Sequence, residues 1–175
     1  MRFRILRREW SPPSLGRPVD TAALVNRMDR VLSLWAGTPY GSGQRCRGAA
    51  ADCIGFVFGA IDDVDGRPRA QAPSMPPDSA LHDPDASAAA LAALRALYEP
   101  VEPVPSGAPV EPFDILVVGP RLAGPSHAML VGTSAGHLWH CTPHAGVHRG
   151  GWALGPGYES LRGAFRIGDR RRWLR

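Results

Sequence analysis

The sequence predicts an α+β fold, and three observations carry that prediction. Helical periodicity comes early in the chain, strand-like runs come late, and the two are not interleaved. Glycine (20) and proline (18) are abundant across 175 residues, which favours short elements joined by turns over a helical bundle. Hydrophobic residues make up 44% and charged residues 21%, so a single globular domain with a real core is expected.

The elements follow in order. Residues 1–19 open with Arg2, Arg4, Arg7 and Arg8, contain Pro12 and Pro13, and read as an N-terminal arm ahead of one domain spanning 20–175. From Asp20, the residues Leu24, Met28, Val31, Leu32 and Trp35 recur on one helical face. Asp20 or Thr21 can cap that helix, and Gly37 with Pro39 ends it. Residues 37–51 are Gly-rich and polar and read as a loop. At Asp52 the loop gives way to the apolar run Cys53, Ile54, Phe56, Val57, Phe58 and Ile61, the opening of a buried helix with Cys53 at its N-terminus.

A Pro-rich insert is expected over about 65–112. Within it, 86–98 (ASAAALAALRALY) predicts a helix capped by Ser87, and 99–112, with five prolines, predicts a linker or extended loop. Residues 114–118 (DILVV) predict a buried strand. Residues 127–133 and 137–142 predict a hairpin turning at Ser134–Gly136, and 162–167 predict a last short strand.

Charge and cysteine content bound the function classes. Net charge is +4, and the basic residues gather at the two ends, Arg170, Arg171, Arg172 and Arg175 closing the chain. Such ends suit an anionic partner, but an ordinary solvated arginine surface explains them better, and nucleic-acid binding is the weakest option. The opening MRFRILRREW has no apolar run of signal length, and no stretch is long enough to cross a bilayer. The expectation is a protein made in the cytoplasm, with its thiols reduced and no membrane insertion. Three cysteines cannot form a complete disulfide set within one chain, which leaves a thiol for chemistry.

Cys53 is the thiol whose position favours chemistry. Unpaired N–H groups and the helix dipole lower the pKa of a cysteine at a helix start, and the same N–H groups can hold an oxyanion. Gly55 is expected to keep one side of that junction open. The competing reading is a small buried hydrophobe, the usual fate of a free cysteine. A thiol nucleophile needs a base and the base needs an orienting partner. His127 starts one predicted strand, and His140 lies on the next, 140 − 127 = 13 positions later. Pairing of those strands would bring both imidazoles to one face.

The run LWAGTPYGSG from Leu34, followed by ADCIGFV from Ala51, resembles the NlpC/P60 peptidases, papain-like proteins with a G-x-P-Y loop and then D-C-x-G at a catalytic helix. FDILVV from Phe113 resembles that family's G-D-I-L strand, SHAMLVG from Ser126 its H-V-G-I strand, and LWHCT from Leu138 the strand after it. The likeness runs over about residues 24–167. It implies a papain-like fold with N-terminal helices on an antiparallel sheet. It also implies Cys53 as nucleophile, His127 as general base and acid, and His140 as the orienting third member. Tyr40 matches a tyrosine near the nucleophile that helps bind substrate. Asp52 matches an acidic residue that meets a free amine of the wall peptide in some members, and it is equally placed for an N-cap. The implied activity is hydrolysis of amide bonds in peptidoglycan stem peptides through an acyl-enzyme, with no cofactor.

The chain departs from many wall-peptide enzymes at Ile54, where they carry serine; phage-encoded members more often have an apolar residue there. Together with the absence of a signal run, this points to a tail-tip component of a phage-like or gene-transfer particle, with other tail or baseplate proteins as partners. Three rivals stand beside this reading. His137, His140, Cys141, His144 and His148 are a dense set of metal ligands, though alternation puts His137 and His140 on opposite strand faces. A non-catalytic structural tail subunit would keep the fold without a reactive thiol. A Cys-dependent amidase or acyltransferase would share the acyl-enzyme step.

Overall fold

The computed structural model describes residues 21–66, 92, 99–101, 111–119, 127–134, 137–151 and 160–166. Helix α1 (Thr21–Trp35) buries the expected face: Met28, Val31, Leu32 and Trp35 are in the core and Leu24 packs against it. Gly37 takes φ 74 just beyond its end, a left-handed step that glycine makes without steric cost. The loop expected over 37–51 holds a miniature hairpin, β1 (Arg45–Cys46) paired with β2 (Ala50–Ala51). Strands of two residues carry too little alternation to be read from sequence.

Helix α2 (Cys53–Asp65) starts where the apolar run predicted. It buries Cys53 through Ile61 without a break, so it is a core helix with no polar stripe. Gly66 closes it at φ 66, its N–H donating to the Asp62 carbonyl. The two helices meet closely because residue 59 is glycine. A Cβ there would stand 2.3 Å from the Trp35 ring. Trp35 also packs edge-on to Phe56 at 5.7 Å and donates its indole N–H to Asp63 at 2.9 Å.

The main sheet comprises β3 (Glu99–Val101), β4 (Ile115–Gly119), β5 (His127–Val131), β6 (His137–Thr142), β7 (Gly146–Gly151) and β8 (Ser160–Arg166). Its order is β3-β8-β4-β5-β6-β7 and every pairing is antiparallel. Ile115, Val117, Ala128, Leu130, Cys141, Val147 and Phe165 share a core with α2. Leu116, Val118, Met129, Val131, Leu138 and Ala164 form a second cluster on the other face. β4 and β5 are buried on both faces, which is why their sequences read as continuous apolar runs and not as alternation.

The α+β class holds, and the two strands expected to pair as a hairpin, β5 and β6, do so antiparallel, with Leu130 opposite Trp139 and Val131 opposite Leu138. Other expectations are corrected or lie outside the described residues. Residues 99–101, expected in a linker, form β3; its Pro100 is tolerated because the strand sits at the sheet edge and needs no second row of hydrogen bonds. β7 was not apparent from sequence, since three of its six residues are glycine. The helix expected over 86–98 falls outside the described residues apart from Ala92, as do the 1–19 arm and the basic C-terminal run. Phe113, where the resembled family has glycine, takes φ 65 and is fully buried. Its left-handed backbone costs about 1–2 kcal/mol, which burial of the ring offsets.

Candidate active site

The site begins at Asp52. Its carboxylate caps α2, Oδ1 accepting from the Gly55 N–H at 2.6 Å, and Oδ2 accepts from the Gly43 N–H at 2.7 Å. Asp52 is only 4% exposed, so both oxygens serve the backbone. These bonds tie the Gly-rich loop to the helix and fix the residue that follows, Cys53. The loop comes closer still at Gly55, where a Cβ would lie 2.0 Å from the Gln44 carbonyl. Gly55 therefore does not keep the junction open, as the sequence reading had it. It admits the backbone of Gln44, which also accepts from the Asp52 N–H at 3.1 Å.

Cys53 is the first residue of α2 and is fully buried. Tyr40, half-buried, is bridged to Ala51, two residues ahead of Cys53, and packs against the core. The flanking bonds run from the Ala51 N–H to the Pro39 carbonyl and from the Gly41 N–H to the Ala51 carbonyl, both 2.9 Å. Cys141 supplies a further tether that the sequence did not indicate. Its thiol donates to the Ala51 carbonyl at 3.1 Å, which holds the approach to α2 against the strand that carries His140. Thr38 adds another, its carbonyl accepting from the Val147 N–H at 2.8 Å.

The two histidines meet. His127 Nε2 and His140 Nδ1 are 2.9 Å apart, with ring centroids at 5.2 Å and planes at 72°. They are diagonal neighbours on one face of the β5–β6 pair, within reach of aromatic side chains. His127 is 5% exposed. Burial, reinforced by His140 and His148, lowers its pKa from 6.5 to about 3. Burial and then His148 lower that of His140 to about 4. Both rings are therefore neutral at neutral pH, and a neutral imidazole can accept a proton.

Helix α2 packs across β5 and β6, so the strands bearing the histidines lie against the helix that begins with Cys53. Tyr40, Asp52 and Cys53 thus lie together at the loop–helix junction, and His127 and His140 lie together on the sheet. His148 joins them. It stands opposite His140 across β6–β7, with ring centroids 4.3 Å apart. The signal for it in the sequence is the turn Pro143–Ala145, midway between the two histidines, whose recognition would have paired them. Among the described residues, no three His, Cys, Asp or Glu side chains group to hold a metal ion, and no helix is long and apolar enough to cross a membrane.

Two helices packed on an antiparallel sheet in this order make a papain-like fold of the NlpC/p60 type. One solved structure that shares it is the crystal structure of the NlpC/p60 domain of peptidoglycan hydrolase SagA. It matches with a TM-score of 0.50 and 18% identity, over 83% of this chain and 97% of that one. No known family profile matches the sequence, and no curated protein does.

Proposed function

We propose that this protein is a cysteine peptidase that hydrolyses amide bonds in peptidoglycan stem peptides. The observation that carries the reading is the 2.9 Å His127–His140 pair on the sheet that packs against the Cys53 helix. The likeness to a domain of a peptidoglycan hydrolase supports the choice of substrate.

The roles follow from the ring nitrogens. His140 engages Nε2 of His127, so His127 exchanges protons with the thiol through Nδ1. In that state Nε2 of His127 carries its hydrogen and donates to Nδ1 of His140, which fixes the tautomer of the base. His127 takes the Cys53 proton as sulfur attacks the scissile carbonyl carbon. Because burial holds His127 neutral, it is ready to accept the thiol proton as sulfur attacks. Asp52 already engages the N–H groups of Gly55 and Phe56. We assign the oxyanion contact to the Cys53 N–H. His127 then protonates the leaving amine, and water, deprotonated by the same ring, releases the acyl group from sulfur. Tyr40 and Asp52 are assigned to the substrate side of the site.

The deciding experiment is mass spectrometry of purified muropeptides after incubation with the protein. The wild type is expected to yield cleaved stem peptides and Cys53→Ala none. Equal product from both would sink the reading, and transfer to an added amine in place of hydrolysis would reassign it as an acyltransferase.

We further propose that the enzyme works at the tail tip of a phage-like particle, bound to other tail or baseplate proteins. The apolar Ile54 beside the nucleophile supports this. Co-sedimentation with particles from a producing culture checks it; its absence from purified particles would refute it.

A further inference from the structure

One titratable side chain packs against the candidate site without a part in the mechanism. His148 lies directly opposite His140 in the β6–β7 register. Cross-strand partners at such positions are the closest side-chain neighbours a sheet provides. The ring centroids are 4.3 Å apart and the planes tilt by 42°. His148 is itself fixed, because its Nδ1–H donates to the Gly146 carbonyl at 3.0 Å. Turning the ring would break that bond. Two residues on, Gly150 presents only its backbone. A Cβ there would stand 2.8 Å from Nε2 of His140. His140 is therefore bounded by His127 at Nδ1, by His148 across its face and by Gly150 at its Nε2 edge.

We propose that His148 is a positioning residue for His140: its ring, packed against the imidazole across β6–β7, holds His140 with Nδ1 toward His127, and the bare Cα of Gly150 leaves the space that this orientation needs. The proposal rests on the Cys53 mechanism above. The chemistry is orientational. A half-turn of His140 about its ring axis puts a C–H where Nδ1 stands, and a C–H cannot accept from His127 Nε2–H. His127 would then lose the partner that fixes its tautomer. Among the described residues, the titratable groups facing His140 are His127 on β5 and His148 on β7.

The test combines ¹⁵N imidazole spectra with muropeptide kinetics on wild type, His148→Ala, His148→Phe and Gly150→Ala. In the wild type, Nδ1 of His140 is expected at the shift of an unprotonated acceptor. In His148→Ala and Gly150→Ala it moves toward the value averaged over both tautomers. His148→Phe, which restores a ring, keeps the wild-type signature. In parallel, kcat falls on the order of tenfold in His148→Ala and Gly150→Ala, with KM within about twofold, because an interaction made at the reacting centre is lost and not one that binds substrate uniformly. His148→Phe retains kcat within about twofold, and its acid limb moves to higher pH because a like-charge neighbour of both histidines is gone.

Wild-type ring spectra in His148→Ala would overturn the proposal whatever the activity. So would a His148→Phe protein as impaired as His148→Ala. A wild type that shows the ring response but cleaves no muropeptide would support the seat for His140 and refute the peptidase reading alone.

Discussion

On one side of the sheet, an ionic cluster joins β8 to the segment leading into β4; on the other, β5, β6 and β7 hold three histidines. Asp114, fully buried, accepts from Arg166 Nε at 3.0 Å and from Nη2 at 2.8 Å, and Glu111 pairs with the same guanidinium at 2.9 Å. Each charge there has an opposite charge on it. His127, His140 and His148 face one another, and burial keeps the first two from protonating. The contrast separates two uses of buried polarity. A fully paired ionic cluster has no proton to give or take near neutral pH, so it holds strands together. A neutral imidazole pair keeps an open lone pair and a movable proton, which is what a base requires.

The comparison breaks most sharply at His127. His127→Ala is expected to lower kcat/KM on the order of 10³-fold, the range for losing a general base. The protein should still fold, which circular dichroism beside the kinetic assay would establish. An active His127→Ala enzyme would move the chemistry out of the histidine cluster.

Arg166→Ala is the matching change on the charged side. It leaves the fully buried Asp114 carboxylate without its cation, for which removal of one buried partner costs about 3–5 kcal/mol. Urea unfolding should show that loss, while turnover per folded molecule in the cold stays near wild type. A stable Arg166→Ala protein with reduced turnover would reverse the roles assigned to the two clusters.

The two clusters were not equally legible in the sequence. The histidines announced themselves because His127 and His140 start and span runs of strand-like residues, and because Cys53 follows a Gly-rich loop and heads an apolar run. The ionic cluster gave no such sign. Asp114 and Arg166 are 52 positions apart, and nothing local to either says that β4 and β8 are neighbours. β7 was hidden for a related reason: glycine dilutes strand propensity, yet Gly146 is required where a Cβ would lie 2.2 Å from the Thr38 carbonyl, and Gly150 where it would meet His140. The residues that make close approaches are those that weaken the pattern. Sequence periodicity therefore found the elements that present the candidate nucleophile and base, and missed the strand that lies against His140.

The clusters should also respond differently to acid. An unfolded histidine binds a proton below about pH 6.5. Native His127 does so only near 3 and native His140 only near 4. Between those limits the unfolded chain holds more protons than the native one, so stability falls as pH falls. The contribution is whole above about 6.5 and drains toward 4. The slope is at most about 1.4 kcal/mol per pH unit for His127, and smaller for the half-buried His140, where solvent screens the charge. Melting temperatures from pH 7.5 to 4.5 should decline in the wild type and decline less steeply in His127→Ala. Equal slopes in the two proteins would mean that His127 is not held neutral by the fold.

Asp52 sharpens the comparison because it is a third case: a buried carboxylate whose oxygens serve backbone N–H groups. Its two oxygens each accept one such bond, from Gly55 and from Gly43. Asparagine at this position has one acceptor oxygen and one NH₂ group, so one of those N–H donors would face another donor. The expected cost is about 1–2 kcal/mol, the range for orphaning a buried backbone donor. The effect should fall on stability first, since both oxygens are engaged in the loop–helix junction. Substrate binding gives the discriminating readout. If Asp52 also meets the free amine of a stem peptide, Asp52→Asn raises KM for an amine-bearing muropeptide and leaves KM for its N-acetylated counterpart unchanged. An equal change for both substrates would confine Asp52 to capping α2 and would place it, despite its neighbour Cys53, on the structural side of the divide that Asp114 and Arg166 define.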